Sequence, residues 1–100
     1  MKPLFSPILA IHSVPRERIY QALLSAPDRT WRVTELAAQL PDVSVEAVRT
    51  TLYLMLGEHL VEPVAHRRSL TLRLNEKGRS TVQQIAAQWA MLRQSLRGEA

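Results

Sequence analysis

The sequence predicts a mainly α-helical domain carrying a small β-hairpin. Three observations lead there. Apolar residues recur at helical spacing in four separate stretches. One short segment near residue 70 switches to strict alternation, the period of a half-buried strand. The 100 residues contain no internal repeat, low-complexity block or Gly/Ser linker, so the elements follow one another within a single unit. Composition agrees: 46% of residues are hydrophobic and 22% charged, with three glycines, the balance of a chain able to bury a core. There is no cysteine, which removes disulfides, thiolate metal sites and cysteine nucleophiles, and suits a reducing cytoplasm.

The first helix is expected from about Pro15 to Ala26. Pro15 suits its first turn, Glu17 complements the helix dipole, and Ile19, Ala22, Leu23 and Ala26 share a face. Pro27-Asp28 ends it. An extended piece, Thr30 to Val33, leads to Thr34 as N-cap of a two-turn helix, Glu35 to Leu40, with Leu36, Ala37 and Leu40 inward. Pro41 lacks an amide donor and disfavours helical geometry before it, so Pro41-Asp42-Val43 forms a tight turn. Ser44 then caps a longer helix to about Glu58. Val45, Val48, Leu52, Met55 and Leu56 make its apolar stripe, which leaves Glu46, Thr50, Tyr53 and Gly57 on the opposite side and Ala47, Arg49 and Leu54 flanking.

Val61 to His66 reads as a strand that Pro63 restricts to an edge or an end, and Leu70, Leu72 and Leu74 alternate with Thr71, Arg73 and Asn75 as its partner. The turn between them, His66-Arg67-Arg68-Ser69, is basic. Asn75 caps a last helix from about Glu76 to Leu96. Its apolar residues Val82, Ile85, Trp89, Leu92 and Leu96 are spaced three, four, three and four, the seam of a coiled coil. Five large apolar residues in that spacing are costly to leave in water, so they are expected to form a homodimer interface. The apolar arm, with Leu4, Phe5, Ile8, Leu9 and Ile11, is expected to help cover that helix. The boundaries are then an arm at 1–14, a body at 15–75 and a dimerisation helix at 76–100.

Helix, short strand, helix, tight turn, helix, hairpin and long helix is the order of a winged helix-turn-helix. The segment Thr34 to Glu62, TELAAQLPDVSVEAVRTTLYLMLGEHLVE, resembles the second helix, turn and recognition helix of PadR-like and MarR-like transcriptional regulators. LRLNEKGR, Leu72 to Arg79, resembles the stretch where their wing ends and the next helix begins. The resemblance covers roughly residues 16 to 80. His59 departs from it: such sequences usually have there a glycine that ends the recognition helix in left-handed geometry, which His adopts less readily. The stretch before Pro15 has no counterpart.

The resemblance implies that double-stranded DNA is the partner. An α-helix fits the major groove, and a hairpin wing reaches the backbone or the minor groove. The expected contacts are Ser44, Glu46, Arg49, Thr50 and Tyr53 on the reading helix and His66, Arg67 and Arg68 on the wing. Arg49 suits a guanine edge and Glu46 a cytosine amine. Ser44, Thr50 and Tyr53 suit phosphates or mixed contacts, and Arg67 and Arg68 suit phosphate or a narrow A-tract minor groove. Net charge points the same way: thirteen Lys and Arg against nine Asp and Glu give +4 and a pI near 10.3, which favours polyanions. Eleven of the thirteen are arginine, whose planar fork matches phosphates and guanine.

The expected function is therefore a sequence-specific transcriptional regulator, a repressor, binding a palindrome as a homodimer in the cytoplasm. A winged-helix protein-interaction module that never reads DNA is the alternative, favoured by Asp42 and Glu46 near the reading helix; a replication or plasmid-maintenance factor is a third. Catalysis and metal binding are not expected. His12, His59 and His66 share no ligand spacing, and no nucleophile elbow, phosphate loop or paired acidic motif occurs; no cofactor is implied. Met1 to Ile11 carries Lys2, Pro3 and Pro7 and no small-residue cleavage site, so it reads as neither a signal peptide nor a membrane span.

Overall fold

A computed structural model describes residues 7–98, with side chains through Ser95. Among the described residues four helices surround one hydrophobic core: α1 (Val14–Ser25), α2 (Val33–Gln39), α3 (Val45–Gly57) and α4 (Glu76–Gly98). A 3-10 turn, Pro7–Ala10, precedes them. The strands β1 (Thr30–Trp31), β2 (Val61–Pro63) and β3 (Leu72–Leu74) form an antiparallel sheet in the order β1-β3-β2. Mainly helical with a three-stranded sheet, this arrangement is compatible with a winged helix. No helix among the described residues is long and apolar enough to cross a membrane.

Local chemistry sets the helix starts. The Ser13 hydroxyl accepts from Arg16 N at 3.1 Å and starts α1, and Ser44 does the same for α3 through Ala47 N at 3.1 Å. Helix α2 begins at Val33, not after Thr34 as the sequence suggests. The Glu35 carboxylate reaches back to accept the Arg32 backbone N–H at 2.9 Å and so supplies the terminal hydrogen bond two residues earlier. That bond, with the Arg32 guanidinium as second donor, holds the Glu35 carboxyl below its ordinary pKa.

The hairpin is shorter than expected. Pro63 closes edge strand β2 and pairs with Leu72, and the ladder is capped by Val64 N donating to Thr71 O at 2.8 Å. Leu70 lies outside β3 and is exposed. On the other side of β3, Thr30 pairs with Arg73 and Trp31 with Leu72. Trp31 is buried, with the Arg29 guanidinium 3.8 Å from its ring centroid.

The corner joining α3, β2 and α4 explains both the 59 position and the NEKG stretch. His59 takes left-handed backbone, φ 59°, and ends α3 in a Schellman motif: His59 N donates to Leu56 O at 3.1 Å and Leu60 N to Met55 O at 2.9 Å. Asn75 locks this corner to α4. Its Nδ2 donates to His59 O at 2.8 Å, its Oδ1 accepts from Gly78 N at 2.7 Å, and its own N donates to Leu60 O at 3.2 Å. Gly78 is required here: a Cβ on it would lie 1.8 Å from the Leu60 carbonyl oxygen.

The expected role of α4 is corrected in part. Val82 and Ile85 are buried in the chain's own core and cannot at the same time face a second subunit, whereas Trp89, also in the core and 6% exposed, borders a surface concavity with Leu92. Trp89 stacks on Tyr20 of α1 at 5.5 Å between centroids and donates from Nε1 to Ala10 O at 3.1 Å. Tyr20, unmarked by the helical periodicity, is core; its hydroxyl donates to Leu9 O at 2.7 Å, and burial pushes its pKa up to about 12. Leu9 is fully buried, so the N-terminal turn straps α1 to α4. His12 at 3.0 Å and Arg93 at 2.5 Å from the Glu17 carboxylate fasten the strap outside and hold that carboxyl below its ordinary pKa. Beyond Trp89 the helix stands clear: Met91 is 69% and Leu92 63% exposed. Leu4, Phe5 and the side chain of Leu96 lie outside the described residues.

Candidate nucleic-acid interface

Helix α3 buries Val48, Thr51, Leu52 and Met55, and fully burying an aliphatic side chain of this size stabilises by roughly 1.5–3 kcal/mol. That apolar arc sets which face is left outward. It sits slightly rotated from the predicted stripe: Thr51 is inside, whereas Val45 is 44% exposed because the first turn, Ser44 to Glu46, stands clear of the core. The outward face carries Glu46, Thr50 and Tyr53, the last 49% exposed, with Arg49 half-buried beside them.

These side chains are not equally available. The Ser44 hydroxyl is engaged as the α3 cap. Arg49 Nη1 and Glu46 Oε1 form an ion pair one turn apart, which aims both groups along the same exposed edge. Exposed pairs of this kind contribute roughly 0.2–1 kcal/mol, so a competing anion opens this one at small cost.

His66, Arg67 and Arg68 are exposed on the β2–β3 loop, where His66 takes φ 65° and turns the chain. The antiparallel register places this loop beside the start of α2: since Trp31 faces Leu72, Arg32 comes opposite Thr71. Two adjoining concavities result. One is bordered by Arg49 and Tyr53 of α3, Thr34 of α2, and Ser69 and Leu70 of the loop. The other is bordered by Thr30, Glu35, Arg67, Arg68 and Thr71. Arg32 and Ser69 line both. Arg49, Tyr53, Arg67 and Arg68 thus border one continuous surface with Arg32, Thr34 and Ser69, which sequence reasoning did not single out. Their convergence depends on strand register, for which residue types carried no direct signal.

Most other arginines are engaged elsewhere. Arg18 pairs with Asp42, Arg73 with Glu62, Arg79 with Asp28 and Arg93 with Glu17. Arg16 donates to the Ile11 carbonyl. Arg67 and Arg68 take part in no ion pair among the described residues. No group of three or more His, Asp or Glu side chains among those residues is placed to hold a metal ion. No family model matches the chain, and no curated protein matches its sequence.

Proposed function

We propose that this protein is a sequence-specific DNA-binding regulator of the winged helix-turn-helix kind, acting as a homodimer on a palindromic site and repressing by occupying it. The observation that carries this reading is the surface on which the outward face of α3 meets Arg32, Arg67 and Arg68. A reading helix supplies base contacts through Arg49, Glu46 and Thr50. A wing, the β2–β3 loop, supplies phosphate contacts through Arg67 and Arg68, which form no ion pair among the described residues. The Glu46–Arg49 pair presents an acceptor and a forked donor side by side, a combination suited to adjacent cytosine and guanine edges.

Dimerisation is supported by the part of α4 that the core does not consume. Exposed Leu92 borders a shallow apolar concavity with His12, Trp89 and Arg93, beside exposed Ile11 and Met91. Pairing there sets the distance between two reading helices and hence between half-sites.

The test is an anisotropy titration against a pool of duplexes and its selected tightest fragment at about 150 mM salt, with mass measured by light scattering. The reading expects a dimer with a preference of at least about a thousandfold for a palindromic fragment. Replacing Arg67 and Arg68 with Ala is expected to lower the log–log salt slope by at least about one. Micromolar, sequence-blind binding overturns the reading and turns attention to protein partners.

A further inference from the structure

We infer that the concavity between the start of α2 and the β2–β3 loop is a single-phosphate subsite, built by Arg32, Arg67 and Arg68 with the hydroxyls of Thr30 and Ser69. The inference deepens the DNA-binding reading and rests on it for the identity of the ligand in the cell, a backbone phosphodiester. It assigns Arg67 and Arg68 to phosphate and not to the minor groove, and it adds Arg32 from a separate element as an equal member.

The site is assembled from three places in the chain. Thr30 comes from β1, Arg32 from the first turn beyond it, and the remaining groups from the loop about 35 residues later, brought alongside by the β1–β3 register. Three arginines line the cavity beside a single carboxylate residue, Glu35. That carboxylate is already occupied: it accepts the Arg32 backbone N–H at 2.9 Å and one guanidinium nitrogen at 3.4 Å, leaving the other donors of Arg32 unassigned. The loop side is braced. Thr71, itself buried, donates its hydroxyl to Ser69 O at 3.2 Å, and Val64 N ties the Thr71 carbonyl to β2. Guanidinium forks and hydroxyls are what a tetrahedral oxyanion requires, whereas a flat base edge leaves most of these donors unused.

A phosphate held here fixes the register of α3 on a duplex. Arg32 also lines the neighbouring concavity with Arg49 and Tyr53, so an anion clamped by Arg32 sits next to the base-reading side chains. The contact carries no sequence information of its own.

Two measurements on the full chain test this. Inorganic phosphate is titrated against sodium chloride of equal ionic strength, reading the arginine Nε–H resonances by NMR. The Nε–H signals of Arg32, Arg67 and Arg68 are expected to move together with one saturation curve, and Arg32→Ala is expected to abolish the response of the other two. In duplex titrations Arg32→Ala is expected to reduce the salt slope by about one while leaving the ranking of sequences unchanged. A phosphate response at Arg67 and Arg68 that survives Arg32→Ala, or no response at all, overturns the subsite. A shared phosphate response without duplex binding upholds the subsite, assigns it to a free phosphate or phosphomonoester, and removes the DNA reading instead. A melting curve of the Arg32→Ala protein matching wild type shows that the fold is intact in each arm.

Discussion

His59 and His66 adopt nearly the same left-handed backbone, φ 59° and 65°, in opposite surroundings. At His59 the chain turns against the core. Its N–H and that of Leu60 close the end of α3, its carbonyl takes the Asn75 amide, and Leu60 behind it is fully buried. At His66 the chain turns into solvent, with every residue from 65 to 70 exposed and the Val64–Thr71 and Thr71–Ser69 bonds closing the loop behind it. A non-glycine residue pays roughly 1–2 kcal/mol for this conformation. In the corner, surrounding hydrogen bonds and packing hold it in place. In the loop, the turn leaves two exposed arginines that form no ion pair among the described residues. One chain thus uses the same backbone device once to fix its architecture and once to present charge.

The most damaging way to break the comparison is at Gly78. An alanine there places Cβ 1.8 Å from the Leu60 carbonyl oxygen and 3.0 Å from the Leu74 side chain. Backbone cannot yield as a flexible side chain does, so α4 must slide away from the corner. Alanine ordinarily gains about 0.5–1 kcal/mol over glycine inside a helix. Here the expected outcome is a loss of at least about 2 kcal/mol, read as a fall in Tm of about 10 °C or more by calorimetry. A fall under about 4 °C would mean that the corner is soft and the contrast with the loop is overstated.

Asn75 comes next. It caps α4 through Gly78 N and at the same time satisfies the His59 carbonyl, so Asn75→Ala removes a cap and strands an acceptor. About 2 kcal/mol is expected in a urea titration, with the slope m unchanged. Asn75→Asp separates the two roles, because a carboxylate still accepts from Gly78 N but cannot donate to His59 O; it is expected to recover part of the loss.

The corner was better legible in the sequence than the loop, for a physical reason. Caps and breakers act over three or four residues, so Ser44, Pro41 and Asn75 could be recognised from their neighbours alone, while position 59 stood out through the family resemblance. The same holds for the edge placement of Pro63. Long-range placement could not be read this way. The three–four spacing of Val82, Ile85 and Trp89 says that the face is buried without saying against what, and Tyr20 and Ala10 of the same chain turn out to supply the answer. Likewise the sequence places Arg32 in an extended piece, and only the pairing of Trp31 with Leu72 brings it beside Arg67 and Arg68. The arginines on α3 and the loop were nameable as residue types; their shared surface required the register.

The finest test replaces each left-handed histidine by glycine. Glycine relieves about 1–2 kcal/mol of backbone cost, but its freer unfolded chain returns about 0.4–1 kcal/mol. If the native turn is enforced, the balance is a gain of about 0.5–1 kcal/mol, and His59→Gly is expected to show it because that turn cannot relax without uncapping α3 and exposing Leu60. His66→Gly is expected to stay within about 0.3 kcal/mol of wild type. An exposed loop tied down only at its base opens locally at low free energy, so strain there is relieved by loop motion and is not carried into the global stability. Chevron analysis separates the two further: the His59→Gly gain should slow unfolding, since the corner must break before the core opens. Equal gains at both positions would show that the β2–β3 loop is held as rigidly as the corner, and that its arginines are presented on a fixed scaffold from the start.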